Sequence, residues 1–310
     1  MTRGMRHPWW VLLTVLIVSA ALLGAGCAPR QAEPGAGEEA AQWPLIVRDM
    51  AGRDVTISAE PKRIVSLAPS NTEIVFALGL GEKLVGVTAL CNWPEEAADK
   101  PKVGDFRINR EAVVALDPDL VLGISGHEEL AEDLGQAGIP VLILAPTNLE
   151  EIYDSIILVG QATGAETEAQ RLVDDMRAQV KEIRQTVADK ATQRPKVFIL
   201  LDIEGLWTAG PGTFLDELVR LAGGENVAAK GDQPYMQYSA EQLLLDDPDV
   251  ILVTFAGADE FRQDSRWQSL KAVRAGRVIE VNADLVSRPG PRIVEGLREV
   301  AKALHPDIFK

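Results

Sequence analysis

"NREAVVALDPDLVL", residues 109–122, recurs 130 positions later as "SAEQLLLDDPDVIL", residues 239–252. The two segments align without a gap, so that Glu111 falls on Glu241 and the tripeptide Asp-Pro-Asp is present in both. Each begins with a residue that favours a helix N-cap, continues as a short helical pattern and ends in an apolar run typical of a buried strand. The chain therefore carries one helix–turn–strand unit twice, which indicates two related halves.

Short apolar runs alternate with helical patterns around each copy. Strands that alternate with helices form parallel βαβ units, which gives an α/β fold class. A small hairpin that turns at Gly52 is predicted ahead of them. The predicted strands of the parallel sheets are RIVSLAP (63–69), KLVGVT (83–88), DLVLGI (119–124), VLILAP (141–146), KVFILLDI (196–203), DVILVTF (249–255) and RVIEV (277–281).

A long helical pattern separates the two copies, from Thr163 to Arg194. Its apolar residues recur at steps of three and four, which places them on one face of a helix, and Pro195 marks its end. About 30 residues at 1.5 Å each span roughly 45 Å, the width of a whole domain rather than of a crossover within one. The pattern predicts two related α/β lobes joined by a single long α-helix, with a ligand cleft between the lobes.

Two helix starts are predicted from the spacing of a capping box, in which Ser or Thr precedes Glu by three residues. Ser70 and Glu73 have this spacing at the start of the first helix of the N-terminal lobe. Thr163 and Glu166 have it at the start of the long helix. Both glutamates are therefore expected to bond to the backbone of their own helix.

The first 26 residues have the features of a secretory signal. Arg3 and Arg6 precede the uncharged residues 9–26, and small residues lead to Cys27. The end "LLGAGC" resembles the lipobox of bacterial lipoproteins, whose signals are cut before a cysteine that then carries lipid. The uncharged stretch is also at the lower edge of the length of a membrane span, so an uncleaved transmembrane helix is the alternative.

Ala, Gly, Pro and Glu dominate the residues after Cys27, which is typical of a flexible tether. The predicted organisation is a signal peptide (1–26), a tether (27–44), an N-terminal α/β lobe (45–162), the connecting helix (163–194) and a C-terminal α/β lobe (195–310).

The formal net charge of −15 argues against nucleic acid as a partner, because nucleic acid selects basic surfaces. Only His127 and His305 follow the signal segment, and they lack the spacing of metal ligands, so no metal site is expected. The chain has no G-x-S-x-G motif, and Cys91 has no histidine motif beside it. No catalytic residue is predicted, and a secreted α/β enzyme is the alternative class.

Glu111 and Glu241 lie in the first turns of the two repeated helices, behind the N-cap residues Asn109 and Ser239. An acidic side chain there complements the helix dipole for roughly a few tenths of a kcal/mol, which is a structural reason for both. The alternative is that each lobe presents one exposed carboxylate. Together they would form a two-point surface for a partner that carries two matching cations.

Loops at the ends of predicted strands carry aromatic residues, at the positions where clefts between α/β lobes hold ligands. An aromatic side chain buries roughly 150–250 Å², which suits a large flat ligand. The alternative for each aromatic residue is that it closes an edge of its own lobe. The candidate ligand-binding residues are Trp93, Phe106, Trp207, Tyr235, the neighbouring Met236, and Arg288 for an anionic group.

Several blocks of the sequence together resemble the binding proteins of vitamin B12 and ferric-siderophore ABC importers. The blocks are "RIVSLAPSNTEIVFALGLGEKLVGVT", "CNWPEEA", "KPKVGDF", "ALDPDLVL", "GTFLDELVRLAGGENV" and "SRPGPRIVEGLREVAKALHP". The resemblance covers residues 45–310. It implies two Rossmann-like lobes, one long connecting helix and a ligand cleft between the lobes.

The resemblance also implies partners and a location. In that family one glutamate at the tip of each lobe docks onto arginines of the permease dimer, and by motif position these are Glu111 and Glu241. The implied partners are the permease dimer with its ATPase subunits, a small-molecule ligand, and the membrane through a lipid on Cys27. The implied protein is an extracytoplasmic substrate-binding lipoprotein, not an enzyme, with no cofactor besides its ligand.

Cobalamin-binding members of the family hold the corrinoid with aromatic side chains, and Trp93, Trp207 and Tyr235 match their positions. Phe106 matches if the alignment is not shifted by one residue, which would substitute Asp105. Ile124 stands where an aromatic residue is expected, and Met236 stands where proline is common. The expected ligand is a corrinoid, with a ferric siderophore or haem as the alternative.

Overall fold

Residues 43–309 carry two four-stranded parallel sheets in a computed structural model, which describes these residues and Met1. The predicted signal peptide, Cys27 and the tether up to residue 42 lie outside the described residues. No helix in the described part of the chain is long and apolar enough to cross a membrane.

A hairpin opens the N-terminal lobe, with β1 (Leu45–Arg48) antiparallel to β2 (Asp54–Ile57). It turns through Gly52, whose φ of 78° is favourable for glycine, as the sequence predicts. The elements that follow are β3 (Ile64–Ser66), α1 (Pro69–Ala77), β4 (Leu84–Val87), α2 (Arg110–Ala115), β5 (Leu120–Ile124), α3 (Glu128–Gln136), β6 (Val141–Leu144) and α4 (Leu149–Thr163). All neighbours in the sheet β4-β3-β5-β6 are parallel.

The long helix α5 (Glu166–Lys190) has 25 residues and a length of about 37 Å. It lies inside the predicted range 163–194. The predicted capping box at its start is wrong, because the N-cap is Ala165 and no side chain caps the helix. The chain turns instead at Gly164, which ends α4 in the left-handed conformation with φ 73°.

The C-terminal lobe repeats the alternation of strands and helices. Its elements are β7 (Lys196–Leu200), β8 (Trp207–Ala209), α6 (Phe214–Leu221), β9 (Glu225–Asn226), β10 (Tyr235–Gln237), α7 (Ala240–Asp246), β11 (Val250–Val253), α8 (Ala258–Gln263), α9 (Lys271–Arg274), β12 (Val278–Glu280), α10 (Ala283–Ser287) and α11 (Ile293–Leu304). The parallel sheet has the order β9-β7-β11-β12, while β8 and β10 pair as a separate antiparallel ribbon.

The two parallel sheets have the same topology. Read in the same direction, β4-β3-β5-β6 corresponds strand for strand to β9-β7-β11-β12. The duplicated segment supplies α2 with β5 in one lobe and α7 with β11 in the other. The prediction of two related α/β lobes with parallel sheets is confirmed.

The duplicated segments also agree in local geometry. The side chain of Asn109 accepts a hydrogen bond from the N–H of Ala112 at 3.0 Å, and that of Ser239 accepts one from Gln242 at 3.0 Å. Both predicted N-caps are confirmed. Because each cap satisfies a helix N–H that has no partner within the helix, both helices begin at the same place in the repeat.

The turns that follow these helices match as well. Asp117 and Asp247, which occupy the same repeat position, adopt φ values of 45° and 43°, in a region that Asp tolerates better than most residues. Two residues later, Asp119 accepts hydrogen bonds from the backbone of Lys62 and Arg63, and Asp249 accepts one from Lys196. Each aspartate thereby ties its strand to the start of the neighbouring strand in the same parallel sheet, β3 in one lobe and β7 in the other.

The largest hydrophobic core passes through α5 from one lobe to the other. The buried face of α5 is formed by Ala169, Val173, Met176, Val180, Ile183 and Val187. The first five belong to one cluster with β3 and β5 residues of the N-terminal lobe and with β11 and α11 residues of the C-terminal lobe. The connecting helix is therefore packed against both lobes.

Candidate ligand cleft and partner surface

A cavity of about 590 Å³ lies at the carboxyl edge of the N-terminal sheet. Segments that follow β3, β4 and β5 line it, including Asn92, Phe106 and His127, and Arg288 of the C-terminal lobe completes it. Open parallel sheets bind ligands at this edge. A larger concavity of about 840 Å³ lies at the C-terminal end of α5, but no predicted ligand residue lines it.

The four predicted aromatic residues are exposed. Their exposed fractions are 49% for Trp93, 86% for Phe106, 42% for Trp207 and 53% for Tyr235. Among the described residues, no other aromatic side chain belongs to the large hydrophobic side chains that are exposed. Such apolar area costs free energy in water and favours contact with a ligand, whereas a residue that closes the edge of its own lobe would be buried.

Trp207 and Tyr235 lie on the ribbon of β8 and β10, where the sequence predicted loops. Trp207 is paired with Gln237 and Tyr235 with Ala209. Because side chains alternate along a strand, Trp207 and Tyr235 project from the same face of the ribbon as diagonal neighbours. Burial raises the pKa of the Tyr235 phenol, which therefore stays neutral at pH 7.

Met236 projects from the opposite face of the ribbon. Its terminal methyl lies so close to Gly210 and Gly231 that a Cβ on either glycine would come within 2.5 Å of it. The side chain of Met236 thus fills space inside the C-terminal lobe. The structure does not place it with Tyr235, its predicted companion in the ligand site.

Arg288, at the end of α10, reaches across the cleft into the N-terminal lobe. Its guanidinium forms ion pairs with Glu73 at 3.0 Å and with Asp284 at 2.8 Å. It also donates a hydrogen bond to the side-chain oxygen of Asn92 at 2.7 Å. Arg288 borders the cavity as predicted, but its charge is already balanced by carboxylates of both lobes.

Glu73 is a site residue that the sequence analysis missed. The helix α1 has Ala68 as its N-cap and no side-chain cap, so the predicted capping box is wrong. The Glu73 carboxylate, 3% exposed, binds Arg288 and also Arg292, whose side-chain nitrogens lie 2.8 and 3.1 Å from it. Since these partners are more than 200 residues away, no local pattern indicates the contact.

Two further residues of the cavity wall have defined hydrogen bonds. The carboxylate of Asp105 accepts a hydrogen bond from the N–H of Arg107 at 2.9 Å, while Phe106 extends freely into solvent. His127 Nδ1 accepts a hydrogen bond from the N–H of Ile124 at 3.3 Å, and burial lowers the pKa of its imidazole. The ring is therefore neutral at pH 7, with its proton on Nε2.

Glu111 and Glu241 are exposed in the first turns of α2 and α7. Three residues further along each helix lies an exposed aliphatic side chain at the same repeat position, Val114 at 40% and Leu244 at 41%. Residues three apart lie on the same face of a helix. Each lobe thus presents a carboxylate next to an apolar side chain, and Leu245, 78% exposed, enlarges this surface on α7.

The described residues contain no group of His, Cys, Asp and Glu side chains suited to hold a metal ion. Cys91 is buried, and its sulfur lies 3.1 and 3.2 Å from the hydroxyls of Thr72 and Thr88. This thiol is held in the wall of the N-terminal lobe by hydrogen bonds rather than by a metal.

Two similar lobes with parallel sheets, one connecting helix and a cavity at the carboxyl edge of a sheet define the class of two-lobed solute-binding proteins. Of the four exposed aromatic residues, Phe106 lines this cavity, whereas Trp93, Trp207 and Tyr235 lie outside its lining. The chain belongs to the periplasmic binding protein family, whose model matches residues 64–285. The resemblance to the binding proteins of vitamin B12 and ferric-siderophore importers is thereby confirmed for the family and the fold. The chain is therefore a substrate-binding protein of the class that serves ABC importers.

Three relatives place the chain more narrowly. The ABC transporter substrate-binding lipoprotein YvrC of Bacillus subtilis (strain 168) is 37% identical over 310 aligned residues, which cover 97% of this chain and 98% of that protein. The periplasmic vitamin B12 binding protein BtuF of Vibrio cholerae has a TM-score of 0.70 and 31% identity, over 79% of this chain and 97% of that one. The periplasmic heme-binding protein RhuT of Roseiflexus sp. RS-1 has a TM-score of 0.72 and 31% identity, over 80% and 99%.

Proposed function

We propose that this protein captures a corrinoid, such as cobalamin, in the cleft between its lobes and delivers it to an ABC permease. The observation that carries the proposal is the exposure of Trp93, Phe106, Trp207 and Tyr235, while other aromatic side chains, such as Phe198, Phe261 and Trp267, are buried. Two of them belong to each lobe. A large flat molecule held between the lobes would cover apolar area on both sides at once.

The chemistry around the aromatics favours a corrinoid over haem. A corrinoid carries neutral amides at its rim, and Asn92, Gln237 and the Nε2–H of His127 are neutral hydrogen-bonding groups near the aromatics. Haem needs a ligand for its iron, and the hydrogen bond from Ile124 occupies the Nδ1 lone pair of His127, so the exposed phenol of Tyr235 is the side chain that would serve haem. Haem remains the second candidate because RhuT and BtuF are equally identical to this chain.

Delivery to the permease rests on the repeated surface of α2 and α7. Glu111 and Glu241 supply one carboxylate per lobe, and Val114 and Leu244 supply matching apolar contacts. A permease dimer with two-fold symmetry would present the same arginine-bearing site to each lobe. The lipid anchor that we propose at Cys27 would keep the protein beside this partner.

Calorimetric titration tests the ligand. The mature chain without its signal and Cys27 should bind cyanocobalamin saturably at one site, and at least about tenfold more tightly than haemin or ferrichrome. If haemin binds more tightly than cyanocobalamin, haem becomes the proposed ligand instead of a corrinoid. No binding of any of the three would remove this class of ligand from the proposal.

Mass spectrometry tests the anchor. The mature protein should begin at Cys27 and carry diacylglycerol on its sulfur. Cys27→Ser should release the protein from membranes or leave an uncleaved precursor. A mature N-terminus elsewhere, without lipid, would contradict the anchor and leave the ligand proposal unaffected.

A further inference from the structure

We infer that Glu73 is a positioning residue, which sets the orientation of the Trp93 side chain through Arg292 and the position of the segment before Trp93 through Arg288. The inference rests on the proposed function in that Trp93 is taken to contact the ligand. Glu73 itself does not touch the ligand, because its carboxylate is 3% exposed and lies behind the two arginines.

The first step is the contact between Glu73 and Arg292. The two carboxylate oxygens of Glu73 accept hydrogen bonds from Nε and one terminal nitrogen of Arg292, at 3.1 and 2.8 Å. This bidentate geometry fixes the plane of the guanidinium, not only its position. Burial alone would lower the pKa of Arg292, but the hydrogen bond and charge of Glu73 outweigh it, so the guanidinium stays charged.

The second step joins Arg292 to Trp93. The guanidinium carbon of Arg292 lies 4.7 Å from the centroid of the Trp93 ring, within the range of a cation–π contact. One face of the indole is thus covered by a cation that Glu73 holds in place. Since Trp93 is 49% exposed, the rest of its surface is available to a ligand.

The third step involves Arg288, which binds the same carboxylate and holds the segment before Trp93. It donates hydrogen bonds to the side chain of Asn92 at 2.7 Å and to the carbonyl oxygen of Leu90 at 3.5 Å. Asn92 in turn donates to Asp284 at 3.0 Å. The segment that carries Trp93 belongs to the N-terminal lobe, but the C-terminal lobe determines where it lies.

The turn 288–292 lies next to the start of α1. A Cβ at Gly290, between the two arginines, would lie 3.4 Å from the carbonyl oxygen of Ser70 and 3.6 Å from the Glu73 carboxylate, which is ordinary van der Waals contact. Without the charge of Glu73, Arg288 would keep its ion pair with Asp284, whereas Arg292 would lose its bidentate partner and would turn away from Trp93.

A charge-removing variant tests the inference. Glu73→Gln should raise the acrylamide quenching of Trp93 fluorescence in the ligand-free protein, because the indole loses its cover. It should also weaken cyanocobalamin binding by about tenfold or more, as the aromatic wall is no longer held in place. Glu73→Asp, which restores the charge on a shorter side chain, should recover part of both properties.

Asp49→Asn is the matched control. Asp49 is also a buried carboxylate bound to an arginine, Arg53, but it lies in the N-terminal hairpin and binds the backbone N–H of Ile143. Its loss should lower the melting temperature without changing the quenching or the affinity. In a Trp93→Phe background, the quenching change caused by Glu73→Gln should vanish.

The inference is overturned if Glu73→Gln leaves the quenching unchanged, or if the change persists in the Trp93→Phe background. If Glu73→Gln does not fold, Arg292→Gln is measured instead, because this variant leaves Glu73 paired with Arg288. Unchanged quenching in Arg292→Gln would also overturn the inference. Failure of the wild-type protein to bind cyanocobalamin would reject the proposed ligand, while the ligand-free quenching still decides the role of Glu73.

Discussion

The helices α2 and α7 are nearly copies of each other, whereas the two walls of the cleft are different. Both helices have an N-cap side chain, an exposed first-turn glutamate and an exposed aliphatic residue at matching positions. The wall of the N-terminal lobe is instead made of loops held by Glu73 and Arg288, and that of the C-terminal lobe is the ribbon of β8 and β10.

The proposed function accounts for this difference. A partner with two-fold symmetry requires the same contact from each lobe, so both copies of a docking helix must keep the same groups. A single ligand molecule without that symmetry offers a different surface to each lobe, so the walls are free to differ. The duplication is thus retained on the outside of the molecule and lost inside the cleft.

Charge reversal on both repeated helices, α2 and α7, should have the largest effect, which is loss of binding to the permease. In Glu111→Lys with Glu241→Lys, two interfacial ion pairs become repulsive contacts, and each should cost about 2–5 kcal/mol of complex stability. Complex formation in a permease pull-down and corrinoid uptake should be lost. Ligand affinity should be unchanged, because neither glutamate borders the cavity.

Glu168→Lys is the control for this prediction, because Glu168 is also an exposed first-turn glutamate but has no counterpart in the repeat. It should leave docking intact. Normal docking of the double lysine variant would show that Glu111 and Glu241 only complement the helix dipole and do not contact the permease.

Truncation of the ribbon aromatics should affect the cleft and spare the repeated surface. Trp207→Ala and Tyr235→Ala should each weaken ligand binding by about 1–3 kcal/mol, the scale of a lost aromatic contact. Titration calorimetry measures the loss, and thermal melting should show little change because both side chains are half exposed. Ile46→Ala removes an exposed side chain far from the cleft, on β1, and should change neither quantity. Unchanged ligand affinity with a large loss of thermal stability would show that the two aromatic side chains stabilise the C-terminal lobe and do not bind the ligand.

Removal of the N-caps should test how alike the two copies are. Asn109→Ala and Ser239→Ala each leave one helix N–H without its 3.0 Å partner, and each should cost about 1 kcal/mol of unfolding free energy. Denaturant titration should give similar losses for the two variants. A loss of unfolding free energy in only one of the two variants would mean that the copies have the same structure but contribute differently to stability.

Mild acid should have the smallest effect, with one histidine in each lobe. Burial lowers the pKa of both His127 and His305 below about 6.5, the value in the unfolded chain. Between the pKa of the folded protein and that of the unfolded chain, the unfolded state binds more protons than the folded state does. The free energy of unfolding should therefore fall as the pH drops below about 6.5 and level off below the folded pKa. His127→Asn with His305→Gln should flatten urea-derived stability between pH 7.5 and 5; an unchanged slope would assign it to other groups.

The sequence predicted the repeat and seven of the eight strands of the parallel sheets, all but the two-residue β9, because these features are local. Buried parallel strands are continuous apolar runs, and N-caps are set by residues three positions apart. The exposure of Trp93 and Phe106 also agrees with the sequence, in which both follow strand ends among polar and small residues, while their contact with a ligand stays a prediction.

The features that the sequence did not predict depend on distant partners. β8 and β10 have three residues each and pair with each other rather than with the main sheet, so neither has the alternating pattern of a longer strand. Glu73 has the spacing of a capping residue, but charges in the other lobe determine its conformation. The start of α5 follows the left-handed turn at Gly164 rather than its hydroxyl–glutamate pair.

The packing of α5 against both lobes also limits how a ligand enters. A wide hinge opening would pull the buried face of α5 away from one lobe and expose Met176 or Ile183 to water, each at a cost of about 1.5–3 kcal/mol. A ligand is therefore expected to enter without a wide separation of the lobes. Because domain hinges take microseconds to milliseconds, capture without a hinge motion should be limited by encounter rather than by opening of the lobes.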